Sequence, residues 1–183
     1  PLVAGGELRH DLEVRRAVEE LVAQRGEFDY ARDLIASARS TYEDLGQRTS
    51  AAVYCDVVLS EVELLADDVI AAERILRALC AELERTHAYS HLASRAGDLA
   101  ETLYRQSRTD EAEEWTRIAE RHAAPDDLDA QILWLPVRAK TAARGGELQH
   151  AELLAREAVV VAESTDALNR RAKVQCDLHE VML

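Results

Sequence analysis

His87 and His91 lie four residues apart with Cys80 upstream of them, and two histidines at that spacing on one helical turn can chelate zinc. Two ligands fall short of the tetrahedral set, no fourth is evident, and His87 falls in a joint between helices, so a solvated joint is expected. Cys176 and His179 form a lone C-x-x-H, a weaker signal of the same kind. Asp126, Asp127 and Asp129 follow Pro125 and could suggest calcium, but acids at a helix start are better explained by capping and by the helix dipole. Gly5-Gly6 and Gly145-Gly146 lack the spacing and the Lys/Ser partners of a phosphate-binding loop. No Ser–His–acid or Cys–His set assembles with any specificity. The expectation is a chain with no catalytic residue, no metal and no cofactor.

The elements that carry these residues repeat. A turn, an Ala-plus-acid step and an apolar helical stripe return at Gly26–Arg32, Asp67–Glu73, Ser107–Glu113 and Gly146–Glu152. Ala31, Ala72, Ala112 and Ala151 follow one another at steps of 41, 40 and 39 residues. A period near forty marks stacked helical hairpins, because one hairpin cannot bury its apolar face alone. The stripe behind each alanine repeats too: Leu34, Ile35 and Ala38; Ile75, Leu76 and Leu79; Trp115 and Ala119; Leu154, Ala155 and Ala158. Alanine permits close approach to the neighbouring helix, and the bulkier residue that follows fills the space between layers. Trp115 and Trp134 fall on such stripes and read as core fillers.

The spacing predicts an all-α chain of four helical hairpins plus a ninth helix, an α-α superhelix of right-handed sense. After a loose lead-in over residues 1–8, the repeats run at about 9–46, 47–87, 88–125 and 126–165, with a partial one at 166–183, all in one domain. The helices are expected near 11–25, 26–45, 49–66, 69–85, 89–106, 110–122, 127–143 and 148–162, with the ninth starting near Asp166. Low aromatic content (4%) and few Gly or Pro agree, and no segment shows strand-like alternation.

The 22 Lys+Arg against 35 Asp+Glu give a formal charge of −13, which repels phosphate backbones and anionic lipid. Nucleic acid and membrane are therefore poor partners. No apolar run approaches membrane-spanning length, no signal peptide is visible, and three scattered cysteines (Cys55, Cys80, Cys176) fit a reducing cytoplasm. Met182 is the sole methionine, and the chain stops inside an apolar helical pattern, so a piece of a longer protein is expected.

The motif small–x–aromatic–x–x–Ala (Gly26, Phe28, Ala31) resembles the turn and second helix of a tetratricopeptide repeat, TPR. Leu99-Ala100 ahead of Ser107 occupies the place of its Leu–small pair, and Ser60 and Ala139 supply the small residue elsewhere. The period exceeds the family's (about thirty-four), Asp67 replaces the turn glycine and Arg138 the expected Leu, so these are TPR-like repeats with lengthened helices. A narrower likeness rests on Ala31-Arg-Asp-Leu-Ile-Ala-Ser-Ala-Arg, Glu63-Leu-Leu-Ala-Asp, Leu103–Glu113, Ala124–Gln131, Val137–Lys140 and Ala151–Val159. Together they resemble the C-terminal region of bacterial signalling proteins in which a class III adenylate/guanylate cyclase domain and an AAA-type ATPase domain precede the repeats. Related regions follow ATPase modules in large transcription regulators. The resemblance implies a non-catalytic sensor or docking arm, since neither cyclase metal-binding aspartates nor an ATP-binding loop is matched.

The groove expected along the first helix of each pair takes Arg16, Glu20 and Gln24, then Tyr54 and Glu61, then Glu101, Tyr104 and Arg105, and finally Lys140 and Arg144. Mixed charge with two tyrosines suits a protein or peptide segment, from a partner or from another domain of the same chain. Arg105 and Lys140 are expected to attract an acidic segment, whereas Arg32, on an outer helix, is expected to matter little. A merely solvated face is the competing reading. Three roles follow: a regulatory arm of a cyclase–ATPase, a peptide- or metabolite-binding effector arm of a transcription regulator, and a homodimerisation element.

Overall fold

The computed structural model of the chain describes residues 22–46 and 48–183, with backbone alone at 48–52. Helices fill it: α1 Phe28–Asp44, α2 Arg48–Leu65, α3 Val69–Arg85, α4 Tyr89–Arg105, α5 Thr109–His122, α6 Leu128–Arg144, α7 Leu148–Glu163 and α8 Leu168–Met182. No strand occurs among the described residues. Residues 22–24 are also helical, whereas most of the first helix expected near 11–25, including Arg16 and Glu20, lies outside the described residues. The other eight expected helices are present with ends shifted by at most about two residues.

One backbone device makes each reversal inside a repeat. Gly26, Asp67, Ser107 and Gly146 all stand in the left-handed region, with φ of 81°, 62°, 62° and 84°. The next N–H then reaches back five residues: Glu27 to Val22, Asp68 to Glu63, Arg108 to Leu103 and Glu147 to Ala142, at 2.8–3.3 Å. This closes carbonyls that the ending helix leaves without partners. The second helix begins at once, its bonds opening where Ala31, Ala72, Ala112 and Ala151 donate to the carbonyls of Glu27, Asp68, Arg108 and Glu147. These four alanines have no exposed surface (0% each). His87 (φ 56°) and Gly46 (φ 72°) use the same conformation at two of the joints between repeats.

The chain divides into two compact units, one extending to Leu79 and the other starting at Cys80. In the first, Ala31, Ile35, Ala38 and Tyr42 of α1 meet Cys55, Val58 and Val62 of α2. Arg32 forks onto both carboxylate oxygens of Glu63 at 2.9 and 2.6 Å, and Arg39 pairs with Asp56, so two charged struts cross between the helices. Arg32 is expected to matter little to partner binding, but it holds Glu63, a largely buried acid, so charge reversal there would set two carboxylates against each other and lower stability.

In the second unit α4, α6 and α8 are first helices of successive repeats, and α5 and α7 are the second helices. α4 packs on α5 and α6, α6 on α5, α7 and α8, and α8 on α7. Ile132, Trp134 and Leu135 of α6 sit among Ala96, Ala119, Ala158, Ala162 and Val174, while Ala139, Ala151, Ala155 and Val181 form a second cluster. Small residues let these helices come close. At Gly97 a Cβ would stand 2.7 Å from the Leu133 Cβ and 3.2 Å from its carbonyl carbon. Pro136 lies inside α6 and is buried; it removes one helical bond, the one Ile132 would accept, yet the helix continues to Arg144.

Three stability outcomes follow. Ser107→Gly is expected to stabilise by about 0.5–1 kcal/mol, the left-handed strain relieved being larger than the entropy a glycine adds. Gly97→Ala is expected to destabilise by about 1–2 kcal/mol, because overpacking against Leu133 exceeds the gain in helix propensity. Ala112→Leu is expected to cost about 1–3 kcal/mol for the same reason. Urea midpoints compared with the unchanged chain test all three, and an unchanged midpoint for Ala112→Leu would break the repeat register.

Candidate protein-interaction face

The last turns of α4 and α6 bring five of the sequence-nominated residues into one neighbourhood. Their spacing explains this. Glu101 and Lys140 are 39 residues apart, one repeat step, so adjacent first helices present them side by side. Lys140 Nζ donates to Glu101 Oε2 at 2.7 Å and to Asp177 Oδ1 of α8 at 3.0 Å. The Tyr104 ring takes Lys140 Nζ at 4.8 Å and the Arg144 guanidinium at 4.0 Å from its centroid. Its hydroxyl donates to Glu180 Oε1 of α8 at 2.5 Å. Lys173 of α8 stands 3.6 Å from Glu101 Oε1, and Arg105 is exposed on the last turn of α4.

Lys140 corrects an expectation. The sequence reading makes it a cation free to attract an acidic segment, but only 2% of it is exposed and both neighbouring helices hold it by carboxylates. A buried ammonium is tolerated because two anions face it. Exposure in this cluster belongs to Arg105 and Arg144. The α8 residues Lys173, Asp177 and Glu180 are not among those nominated from sequence, although carrying the alignment one step further, from Lys140 to Asp177, would have found the acid.

Ionisation follows from these contacts. Burial works to raise the Glu101 carboxyl, but Lys173, Lys140 and Arg105 outweigh it and hold the group below the usual carboxylate range. Burial works to lower the Lys140 ammonium, and Glu101 and Asp177 outweigh that, leaving it raised. Burial and the Glu180 carboxylate push the Tyr104 hydroxyl up to about 12.

The remaining nominated residues belong to the other unit or to other chemistry. Gln24 is exposed, Glu61 is half-buried, and Tyr54 stacks on Tyr42 at 6.1 Å. An open cleft of about 390 Å³ lies between α1 and α2, floored by Ile35, Ala36 and Leu59 and flanked by Arg32 and Arg39. His87 is exposed; its Nδ1 meets the Tyr89 hydroxyl at 2.8 Å, and Tyr89 stacks on His122 at 4.8 Å. Asp127 caps α6, accepting from the Ala130 N–H at 3.0 Å. Among the described residues no three His, Cys, Asp or Glu side chains gather as a metal site would require, and no helix is long and apolar enough to cross a membrane. Trp134 is buried on its apolar stripe with the Arg138 guanidinium 4.4 Å above its ring.

Lys140→Met leaves Glu101 and Asp177 partly buried without their shared cation, and a loss of about 2–4 kcal/mol is expected near pH 7. A carboxylate held low contributes stability above its unfolded value and loses it as pH falls through its folded value. A raised ammonium contributes below its unfolded value and loses it as pH climbs through the folded one. The gap between variant and unchanged chain therefore narrows below the carboxylate range and again at high alkalinity. Urea melts at about pH 3 and pH 7 check this, and equal gaps at both would contradict the assignment.

No protein-family model matches the chain, and a search of curated proteins finds no match. Solved structures do match. A Podosopora anserina protein assigned as a kinesin light chain, built of nearly identical TPR-like repeats, aligns over 93% of this chain and 85% of its own with a TM-score of 0.60 at 16% identity. A point variant of that same protein aligns over 93% and 84% with a TM-score of 0.62, again at 16% identity. The likeness is one of fold: this chain is an all-helical array of TPR-like repeats.

Proposed function

We propose that the chain is a non-catalytic module that binds protein, using the first-helix face around Glu101, Tyr104, Arg105, Lys140 and Arg144. The observation that carries the reading is convergence: two successive repeats place a tyrosine and exposed cations together on an otherwise acidic chain. Aromatic and arginine side chains are the usual energetic anchors of protein interfaces, and local positive charge speeds encounter with an acidic segment. TPR-like repeats generally serve protein–protein contact, which supports the same conclusion. Gln24, Tyr54 and Glu61, which belong to the other unit, are proposed as binding residues of that unit in their own right.

Within that reading we place the module in a cytoplasmic bacterial cyclase–ATPase, where it would bind a partner or another domain of its own chain; the support is the sequence resemblance. The alternative, an effector-binding arm of an ATPase-type transcription regulator, rests on the related regions in those proteins. The gene sequence upstream of Pro1 separates them, since a cyclase domain favours the first and a DNA-binding domain the second. Homodimerisation is tested by the mass in solution.

Arg105→Glu with Arg144→Glu is expected to weaken capture of a partner from the source cell by on the order of tenfold, with helical content by circular dichroism unchanged. The effect should shrink as salt rises, since exposed charges are screened over about 8–10 Å. Arg156→Glu, at an exposed site on α7, serves as the control. Undiminished capture by the double reversal would remove the face from consideration.

A further inference from the structure

The cluster on α4 and α6 is already covered by α8, and the chemistry of that contact is visible. Two carboxylates three residues apart on α8, Asp177 and Glu180, occupy it: one bonds Lys140 and the other the Tyr104 hydroxyl. Tyr104 is thereby bound from two sides, by a carboxylate at its hydroxyl and by two cations at its ring. Such a set is selective. Lys140 is fixed by Glu101 and cannot swing to another acceptor without breaking a short buried bond, while Tyr104 offers one directed O–H. Two acceptors at helical i, i+3 spacing lie on one helix face and fit.

The helix that supplies them is held by this polar set together with three apolar side chains, Val174, Leu178 and Val181. α8 rests on α7 and α6, and its buried apolar side chains are Val174 and Val181, while Leu168 and Met182 are exposed. Elements with little apolar burial open at lower free energy than the core around them. The segment before it, Ser164–Ala167, is a bend, across which Arg171 of α8 donates to the carbonyls of Ala162 and Glu163 at the end of α7 and of Thr165.

We infer that the Tyr104–Lys140–Arg144 face is a receptor for a helix bearing two carboxylates one turn apart, and that α8 fills it in cis until such a helix of a partner takes its place. This rests on the interaction-module reading and gives the partner its chemistry: an acidic, amphipathic helix. α8 then sets the threshold for binding, because the partner's apparent affinity is reduced by the fraction of chains whose face is covered.

The experiment uses the full chain and a labelled synthetic peptide of residues 166–183 with Cys176→Ser, read by fluorescence anisotropy. A chain with Asp177→Asn and Glu180→Gln should bind this peptide at least tenfold more tightly than the unchanged chain. A peptide carrying the same two neutral substitutions should bind the loosened chain at least tenfold more weakly than the acidic peptide. Adding Tyr104→Phe and Arg144→Gln to the loosened chain should erase the difference between peptides. Hydrogen exchange should show α8 exchanging faster in the loosened chain while α4 to α7 stay protected, which separates release of the helix from unfolding. Equal binding of acidic and neutral peptides overturns the inference, as does no binding to a loosened chain whose α4 to α7 remain protected. If the unchanged chain captures a partner through Arg105 and Arg144 and yet the loosened chain ignores the peptide, this inference falls and the module reading stands.

Discussion

An alanine with no exposed surface at the start of each second helix sets how near two helices of a repeat can lie. Everything else in the packing adjusts to that distance. Larger side chains such as Ile35, Leu76, Leu99 and Leu103 are buried where the helices leave room, and the reversal before each alanine must be made in very few residues. That brevity is why the backbone enters the left-handed region at all four turns, even where the residue is Asp or Ser. Between repeats the same logic reappears at Gly97, where α4 and α6 meet backbone to side chain.

Close approach also decides how charge is distributed. With α4, α6 and α8 side by side, a lysine on the middle helix is shut off from water and is stable only because each neighbour brings a carboxylate. The arrangement fixes register as well as energy: sliding any one of the three helices by a residue would separate the ammonium from an acid. Arg32 with Glu63 and Arg39 with Asp56 play the same part between α1 and α2. A chain with a surplus of acids thus uses some of its cations, one buried and two partly exposed, as ties between helices.

The periodic part of this was legible in the residues. The step between phrase alanines fixed the repeat, and α3 has the expected ends, Val69 and Arg85, because an apolar stripe and a turn bound it on both sides. Repeat alignment also brought Glu101, Tyr104, Lys140 and Arg144 to one face, since equivalent positions on successive helices must be neighbours. Burial was not legible. Whether Lys140 reaches water depends on Asp177, 37 residues further on, and on the third helix that carries it. Arg32 looked like an outer cation because its partner Glu63 is 31 residues away. A non-glycine left-handed turn is hidden in the same way: nothing about Ser107 or His87 alone distinguishes it from a solvated loop residue, and only the helix on each side forces the conformation.

The two tryptophans of the chain, Trp115 and Trp134, both pack into the cluster of the second unit with Ala119 and Ala158, whereas the described residues up to Leu79 carry tyrosines and Phe28 but no indole. The molecule is therefore optically asymmetric. Excitation selective for indole reports on the part starting at Cys80, with Arg138 lying over one of its rings, and is blind to the part before it, whose loosening would register in the helical dichroism without moving the indole signal. A chain that lets go in two stages would be recognisable, without any added label, by the two signals parting company.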